Sequence, residues 1–329
     1  MFDLVAGFCH SQVLLALVEL RIPDQLLGQD STVEGLAQRA LMAPDRMRIL
    51  LNAGVAIGIL RRRRAGLYGV TRRGAALTGV PGLAGMILHH RTLYRDLENP
   101  VAFFRGQTET ELAGFWPYVF GAGAAADPTV AQTYSQLMAD SQVLVAADTL
   151  AAVSLARTKV LLDVGGGTGA FLAAVGAVWP QVQLALFDLP AVAPGARLRF
   201  EAAGITGRTI LHTGSFRDDP LPTGADTISL IRVLYDHADA TVLHLLRAVH
   251  TALPPGGRLV ISEPMTGGDR PERAGDAYFA LYCLAMRTGC ARSAGQITDL
   301  LHRAGFTAIH AHRAARPFVT SVITAVRTD

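Results

Sequence analysis

The sequence predicts an α/β fold: a doubly wound, mostly parallel sheet closed by an antiparallel C-terminal hairpin and preceded by a mainly helical domain. Three observations predict it. From residue 159 onward, short apolar strands alternate with helical patterns, the order that builds a parallel sheet. The first such strand, KVLLDV at 159–164, runs straight into GGGTG, a strand–turn–helix junction. The chain then ends in FTAIHAHRAARPFVTSVITAVR, which reads as an antiparallel hairpin at the sheet edge.

The 329 residues suffice for two ordinary domains or one large one. Hydrophobic residues make up 50% and charged residues 17%, with mean hydropathy +0.30. A large core, a partner interface or an apolar substrate pocket must absorb that excess. Apolar stretches such as 143–156 meet charges, Gly or Pro before about 18 residues accumulate, so no transmembrane helix is expected. The start MFDLVAGFCHSQ has no basic region and no cleavage site, so it does not read as a signal peptide. Cys9, Cys283 and Cys290 are scattered and odd in number, which suits a reducing cytoplasm with thiols buried as small apolar groups. A net charge of +3 is too weak to imply nucleic acid without a local concentration of charge.

Residues 1–95 form the expected helical domain. SQVLLALVEL (11–20) is an amphipathic helix running to Ile22-Pro23, where proline should stop it. Ser31, three residues before Glu34, resembles the start of a capping box ahead of GLAQRAL. Pro44 occupies the first turn of a second helix, DRMRILLNAGVAIGIL. RRRRAGLYGVTRRGAALTG follows, with a basic run, a Gly turn, a β-prone segment and a Thr-capped turn. Helix, turn, helix and β-wing is the order of a winged-helix module. Arg61, Arg62, Arg63, Arg64, Arg72 and Arg73 would suit phosphates. Yet the candidate recognition helix is apolar almost all round, with few polar side chains left to read base edges. Such a helix buries itself, here against a second subunit, so a dimerisation domain is expected and nucleic acid is not.

Residues 96–150 read as a helical connector that contributes to a substrate pocket. Phe103, Phe104, Phe115, Trp116, Tyr118 and Phe120 precede the run GAGAAADP, as core residues or as a pocket wall. YSQLMADSQVL (134–144) reads as a helix, and residues 151–329 as the catalytic domain.

The chemistry starts at Gly165-Gly166-Gly167-Thr168-Gly169. Glycines are needed where the chain turns sharply and its backbone touches a ligand that a Cβ would displace. The following helix, from about Ala170 to Trp179, points free N–H groups at the ligand's anionic end. The second strand, VQLALFD, ends at Asp188, whose carboxylate can accept both ribose hydroxyls of an adenosine group. Gly165, Gly167 and Ala170 also satisfy the spacing of a dinucleotide fold. Asp163 tips the balance: two residues before the first glycine, its charge suits the ammonium group of S-adenosylmethionine and would repel a pyrophosphate.

The series LLDVGGGTG, LFDLPAV, GSF, ADTISLIRVLYDHAD, LPPGGRLVISEP and LLHRAGF resembles the plant-type O-methyltransferase family, which includes acetylserotonin and caffeate enzymes. The resemblance covers nearly the whole chain. TYSQLMADSQ and RVLYDHAD look most like its bacterial carotenoid branch, the hydroxyneurosporene and demethylspheroidene enzymes. It implies a class I methyltransferase, Rossmann-like sheet behind a winged-helix dimerisation domain. It also implies S-adenosylmethionine as cofactor, S-adenosylhomocysteine as product, no metal and a homodimer. Carried over by position, Gly165 and Gly167 lie under the methionine part of the cofactor, Asp188 on the ribose and Leu189 beside the adenine. Ser215 and Phe216 match a family Gly-Asp-Phe that flanks the adenine, with Ser in place of Asp. Arg232 matches a family lysine near the cofactor. Tyr134 and Met138 match a helix packed over it, and Met286 falls in the variable acceptor pocket.

The departure is at the catalytic base. Family members carry Leu-His-Asp-Trp, with the histidine deprotonating a phenol; this chain reads Leu234-Tyr235-Asp236-His237. Either His237 acts as base, oriented by Asp236, or Tyr235 orients the acceptor hydroxyl while proximity to the sulfonium does most of the work. A phenol ionises near pH 10, within reach of histidine. The carotenoid acceptors of this family are tertiary alcohols, far less acidic, so proton loss must accompany or follow methyl transfer.

His89-His90 and His310/His312 lack carboxylate or cysteine partners and read as solvated surface histidines, not metal ligands. The expected protein is a cytoplasmic O-methyltransferase of an apolar acceptor, a hydroxylated carotenoid, that touches the membrane peripherally to collect it. The alternatives are a phenolic or polyketide acceptor, a winged-helix ligand-sensing regulator and a nicotinamide-dependent oxidoreductase.

Overall fold

The computed structural model describes residues 1–115 and 128–328, except for the side chains of residue 115 and residues 128–137. The chain divides into two units, Met1–Tyr94 and Arg95–Asp329.

In the first unit the opening helix spans Phe2–Glu19, nine residues earlier than the sequence suggests. Ser11 does not cap a new helix; its hydroxyl donates back to the Gly7 carbonyl at 3.1 Å, as serines inside helices do. By length and composition alone the full helix is long and apolar enough to cross a membrane, whereas the segment from Ser11 is too short to count. Pro23 does not stop this helix but sits in the first turn of the next, Ile22–Gln25. Thr32 rather than Ser31 caps Val33–Arg39, accepting from the Gly35 amide at 3.1 Å. With glycine at the third helical position there is no glutamate to close a capping box. Pro44 opens the helix Pro44–Ala56. Strands β1 (Leu60–Arg62) and β2 (Tyr68–Val70) form an antiparallel ribbon, followed by a helix at Arg72–Gly79 that Thr71 caps. Leu17, Ile22, Leu36, Met47, Leu51 and Tyr68 form the core of this unit.

The second unit carries one sheet. Its strands are β3 (Val160–Val164), β4 (Gln183–Asp188), β5 (Thr209–Thr213), β6 (Thr227–Ile231), β7 (Arg258–Glu263), β8 (Phe306–His312) and β9 (Ser321–Arg327). They lie in the order β5-β4-β3-β6-β7-β9-β8. β3 to β7 pair in parallel, while β9 runs antiparallel to both β7 and β8. This is the class I methyltransferase arrangement. β3 is apolar apart from Asp163, and both its faces are covered. Leu162 and Val164 pack with Leu245 and Leu246 of the helix Asp239–Ala252, whereas Leu161 packs with Phe171 and Val175 of Ala170–Val178. The chain runs outward from β3 to β5 and then returns to β6, so β3 and β6 flank the switch point where such sheets bind ligands. The helix expected at 134–144 extends over Pro128–Ala152. Among the cysteines only Cys283 is buried; Cys9 and Cys290 are exposed, so burial as apolar filler holds for one of the three.

Candidate active site

An open cleft lies at the C-terminal ends of β3, β4 and β6. Its floor is the glycine loop. Gly165 and Gly167 adopt φ of +69° and +59°, which side chains tolerate poorly. The Gly165 amide donates to the Phe187 carbonyl at 2.9 Å, fixing the loop to β4. Gly169, at φ +74°, begins the helix Ala170–Val178, and a Cβ there would lie 2.3 Å from Phe200.

Asp188, at the end of β4, lines the cleft; its Oδ2 accepts from the Gly167 amide at 2.6 Å and its Oδ1 from the Leu189 amide at 2.7 Å. Burial raises its carboxyl above the usual range, against the pull of those two donors. Leu189, Ser215 and Phe216 join it on the same wall. Ser215 is tied up locally, its hydroxyl accepting from the Arg217 amide at 3.3 Å. Asp163 does not reach the cleft. It is fully buried, its Oδ1 accepts from the Ser229 hydroxyl at 2.6 Å, and its Oδ2 sits behind Gly166, where a Cβ would lie 2.2 Å away. Desolvation pushes this carboxyl up to about 7, so both its position and its charge disfavour direct contact with an ammonium group. Its hydrogen bond to Ser229 ties β3 to β6.

The opposite wall follows β6. Arg232 takes up φ +59°, a conformation rare for a side chain that large and one that marks functional segments. Its guanidinium donates to the Ser141 hydroxyl at 2.7 Å, the Met138 sulfur at 3.3 Å and the Tyr235 hydroxyl at 3.4 Å. Arg232 thereby joins the helix above the cleft to the turn below it. That turn is a single 3₁₀ turn, Leu234–Asp236, and Tyr235, Asp236 and His237 all line the cleft. Glu263, buried at the end of β7, accepts from the Val233 and Leu234 amides at 2.8 Å each and from the Tyr235 amide at 3.3 Å. Desolvation raises its carboxyl to about 7 despite those donors. Arg292, 3% exposed, donates to the Leu234 carbonyl at 2.9 Å and the His237 carbonyl at 2.7 Å, clamping both ends of the turn. Gly289 packs on the Tyr235 carbonyl so closely that a Cβ would lie 2.1 Å from it.

His237 has Nδ1 3.1 Å from an Arg217 guanidinium nitrogen and packs edge-on against Phe216 at 5.3 Å. Arginine can only donate, so Nδ1 accepts and the neutral ring carries its proton on Nε2. Burial and then the charges of Arg217 and Arg292 lower the imidazole to about 4.

Met138 lines the cleft; Tyr134 belongs to the same helix, but its side chain is outside the described residues, as are Trp116, Tyr118 and Phe120. Met286 is 1% exposed and is not part of the cleft lining. The sequence reading missed Gln142, Arg217, Glu263 and Arg292. Glu263 stands in the quoted LVISEP, and a carboxylate closing a buried strand was the available signal. Among the described residues no group of three or more His, Cys, Asp or Glu could hold a metal ion. His89 and His90 are half-buried rather than solvated, and burial lowers both imidazoles.

Known proteins fit this geometry. A family model for the O-methyltransferase domain matches residues 94–307, and one for the O-methyltransferase dimerisation domain matches residues 2–79. The chain is 56% identical over 327 residues to demethylspheroidene O-methyltransferase of Cereibacter sphaeroides, covering 99% of this chain and 86% of that one. It is 31% identical to acetylserotonin O-methyltransferase of Mus musculus, over 97% of this chain and 86% of that one. Human N-acetylserotonin methyltransferase, solved with S-adenosylmethionine, superposes with a TM-score of 0.85 at 26% identity, covering 99% and 96% of the two chains. The chain belongs to the S-adenosylmethionine-dependent O-methyltransferase family and carries that family's N-terminal dimerisation domain.

Proposed function

We propose that this protein methylates the hydroxyl of an apolar, carotenoid-type tertiary alcohol and works as a homodimer. The observation that carries the reading is the 56% identity to demethylspheroidene O-methyltransferase, sustained over 99% of the chain. The cleft supports it with a floor of side-chain-free backbone and a carboxylate, Asp188, where an adenosine ribose would lie. S-adenosylmethionine, when bound, supplies an electrophilic methyl group. Gly165 and Gly167 let the backbone approach its methionine part, Asp188 takes the ribose, and Leu189 and Phe216 flank the adenine.

Tyr235 orients the acceptor hydroxyl. Its phenol is pushed up by burial, so it keeps its proton; the hydroxyl faces the Asp236 carboxyl and accepts from Arg232, leaving a lone pair toward an acceptor hydroxyl. His237 serves as wall rather than base, since Nδ1 already accepts from Arg217. Tyr235→Ala is expected to weaken acceptor affinity more than turnover. The exposed Phe2, Leu4, Val5 and Phe8 suit burial against a second copy, because the dimerisation match begins at residue 2. An acceptor this apolar partitions into lipid, so the reading includes peripheral membrane contact by a cytoplasmic enzyme.

Incubation with methyl-labelled S-adenosylmethionine and a panel of carotenoid and phenolic alcohols tests the reading. Label in the carotenoid alcohol with release of S-adenosylhomocysteine is expected. Label in phenols alone would overturn the acceptor class, and salt-sensitive DNA binding without any transfer would favour a regulator.

A further inference from the structure

We propose that the arginine-rich ribbon of the first unit docks on an anionic membrane surface and holds the enzyme where an apolar acceptor is dissolved. The choice of a lipid partner rests on the apolar-acceptor reading above. Met1–Tyr94 carries eleven arginines against six acidic residues, a net charge of +5, while the rest of the chain nets −2. The excess is local. Residues 58–79 hold Arg61, Arg62, Arg63, Arg64, Arg72 and Arg73 and no acidic residue, and all six arginines are exposed. Arg63 lies 3.3 Å from the Asp30 carboxylate; the other five form no salt bridge among the described residues.

The six arginines belong to one patch. Arg61 and Arg62 lie on β1, Arg63 and Arg64 lead into the turn to β2, and Arg72 and Arg73 open the helix Arg72–Gly79. Thr71 fastens the start of that helix to the foot of β1. Its amide and hydroxyl donate to the Ile59 carbonyl at 3.1 and 2.9 Å, and the hydroxyl also reaches the Gly58 carbonyl at 2.8 Å. Folding gains nothing from the charges. Four consecutive cations repel one another, and two in the first turn of a helix oppose its dipole, where acidic residues are favoured. The ribbon's share of the core comes from Leu60 and Tyr68 instead.

Unpaired cations at this density complement a field of phosphates. No large apolar side chain between residues 58 and 79 is exposed, so the contact is electrostatic and stays at the headgroups without insertion. A nucleic acid offers the same charge but would also need a reading element. On the outer face of the helix Pro44–Ala56, Arg48 lies 3.7 Å from Glu34 and Asn52 accepts from the Tyr68 hydroxyl at 2.7 Å, which leaves few polar groups for base edges. An anionic leaflet needs no such element, and it also contains the acceptor.

The test is co-sedimentation of the full chain with vesicles, without acceptor or cofactor, so that its outcome is separate from the acceptor chemistry. Vesicles of phosphatidylcholine with about one third phosphatidylglycerol are compared with phosphatidylcholine alone. Wild type should bind the anionic vesicles at low salt, ignore the neutral ones, and lose at least about tenfold in partitioning at about 0.5 M salt. Each arginine at a charged surface is worth about fivefold, so the combined Arg61→Gln, Arg62→Gln and Arg64→Gln variant should partition about 100-fold less, with its oligomeric state and its methyl transfer in detergent unchanged. Removing three exposed arginines of the second unit instead, Arg247, Arg270 and Arg303, should cost less than about threefold. Equal losses in the two variants would mean that net charge rather than a docking face binds lipid, and would overturn the proposal. So would a wild type that ignores anionic vesicles, a ribbon variant that dissociates into monomers, or a wild type that prefers a short DNA duplex to the vesicles. If the vesicle result holds while label enters phenols alone, the acceptor reading fails and the docking surface stands.

Discussion

The two walls of the cleft are built in opposite ways. On the cofactor side the contacts come from backbone: a glycine loop at positive φ, tied to β4, with one carboxylate, Asp188, set against the loop's own amides. On the acceptor side the contacts come from side chains on a single 3₁₀ turn, and that turn is held by residues far away in sequence. Glu263 grips its amides across about 30 residues and Arg292 its carbonyls across more than 50. A backbone wall of this kind fits one ligand moiety and tolerates little change. A wall of clamped side chains can keep its shape when the residues on it change.

The comparison can be broken from either side. The largest effect is expected for Asp188→Ala, which removes the acceptor of two ribose hydroxyls. Hydrogen bonds to a charged group are worth about 1.5–3 kcal/mol each, so S-adenosylhomocysteine affinity should fall by about 100-fold or more in calorimetry. The thermal midpoint of the ligand-free protein should also fall, because the Gly167 and Leu189 amides lose their acceptor. Next comes Glu263→Gln, which turns an amide N–H toward the Tyr235 amide. Turnover should drop by about 10-fold with cofactor affinity within about threefold. An equal loss in both would mean that the two walls are not separately supported.

A smaller, pH-dependent effect is expected at Asp163. Its folded carboxyl sits near 7, above the roughly 3.9 of an unfolded chain. Between those values the folded protein holds a proton that the unfolded chain has released, so this group's contribution to stability falls as pH rises from about 4 to 7. Asp163→Asn, measured against wild type by thermal melting without ligand, should gain relative stability across that window. A difference constant with pH would contradict the burial argument.

The cofactor wall was legible in sequence because its signals are local. GGGTG and the aspartate ending the next strand lie in one βαβ unit, where strand, turn and helix follow from apolar runs and glycine spacing. Asp163 was misplaced by the same local logic: spacing put it beside the first glycine, but only packing shows Gly166 standing between it and the cleft. The turn 234–237 was legible as a place but not as a mechanism. Nothing near His237 in sequence announces Arg217, twenty residues earlier, whose guanidinium occupies Nδ1. In the first unit the helix starts nine residues before the stretch read from Ser11, whose hydroxyl bonds backward within it. The capping-box pattern expected at Ser31 occurs instead at Ser293 and Gln296, where both reciprocal bonds form.

The smallest effect expected within the cleft is also the most telling. If the chemistry rests on proximity, with Tyr235 orienting the hydroxyl, then His237 is a wall residue despite being the histidine nearest the family's base position. His237→Ala should lower single-turnover methyl transfer to a carotenoid alcohol by less than about 10-fold at saturating cofactor. A fall of about 1000-fold, with S-adenosylhomocysteine affinity intact, would show that His237 is the base and would contradict the account.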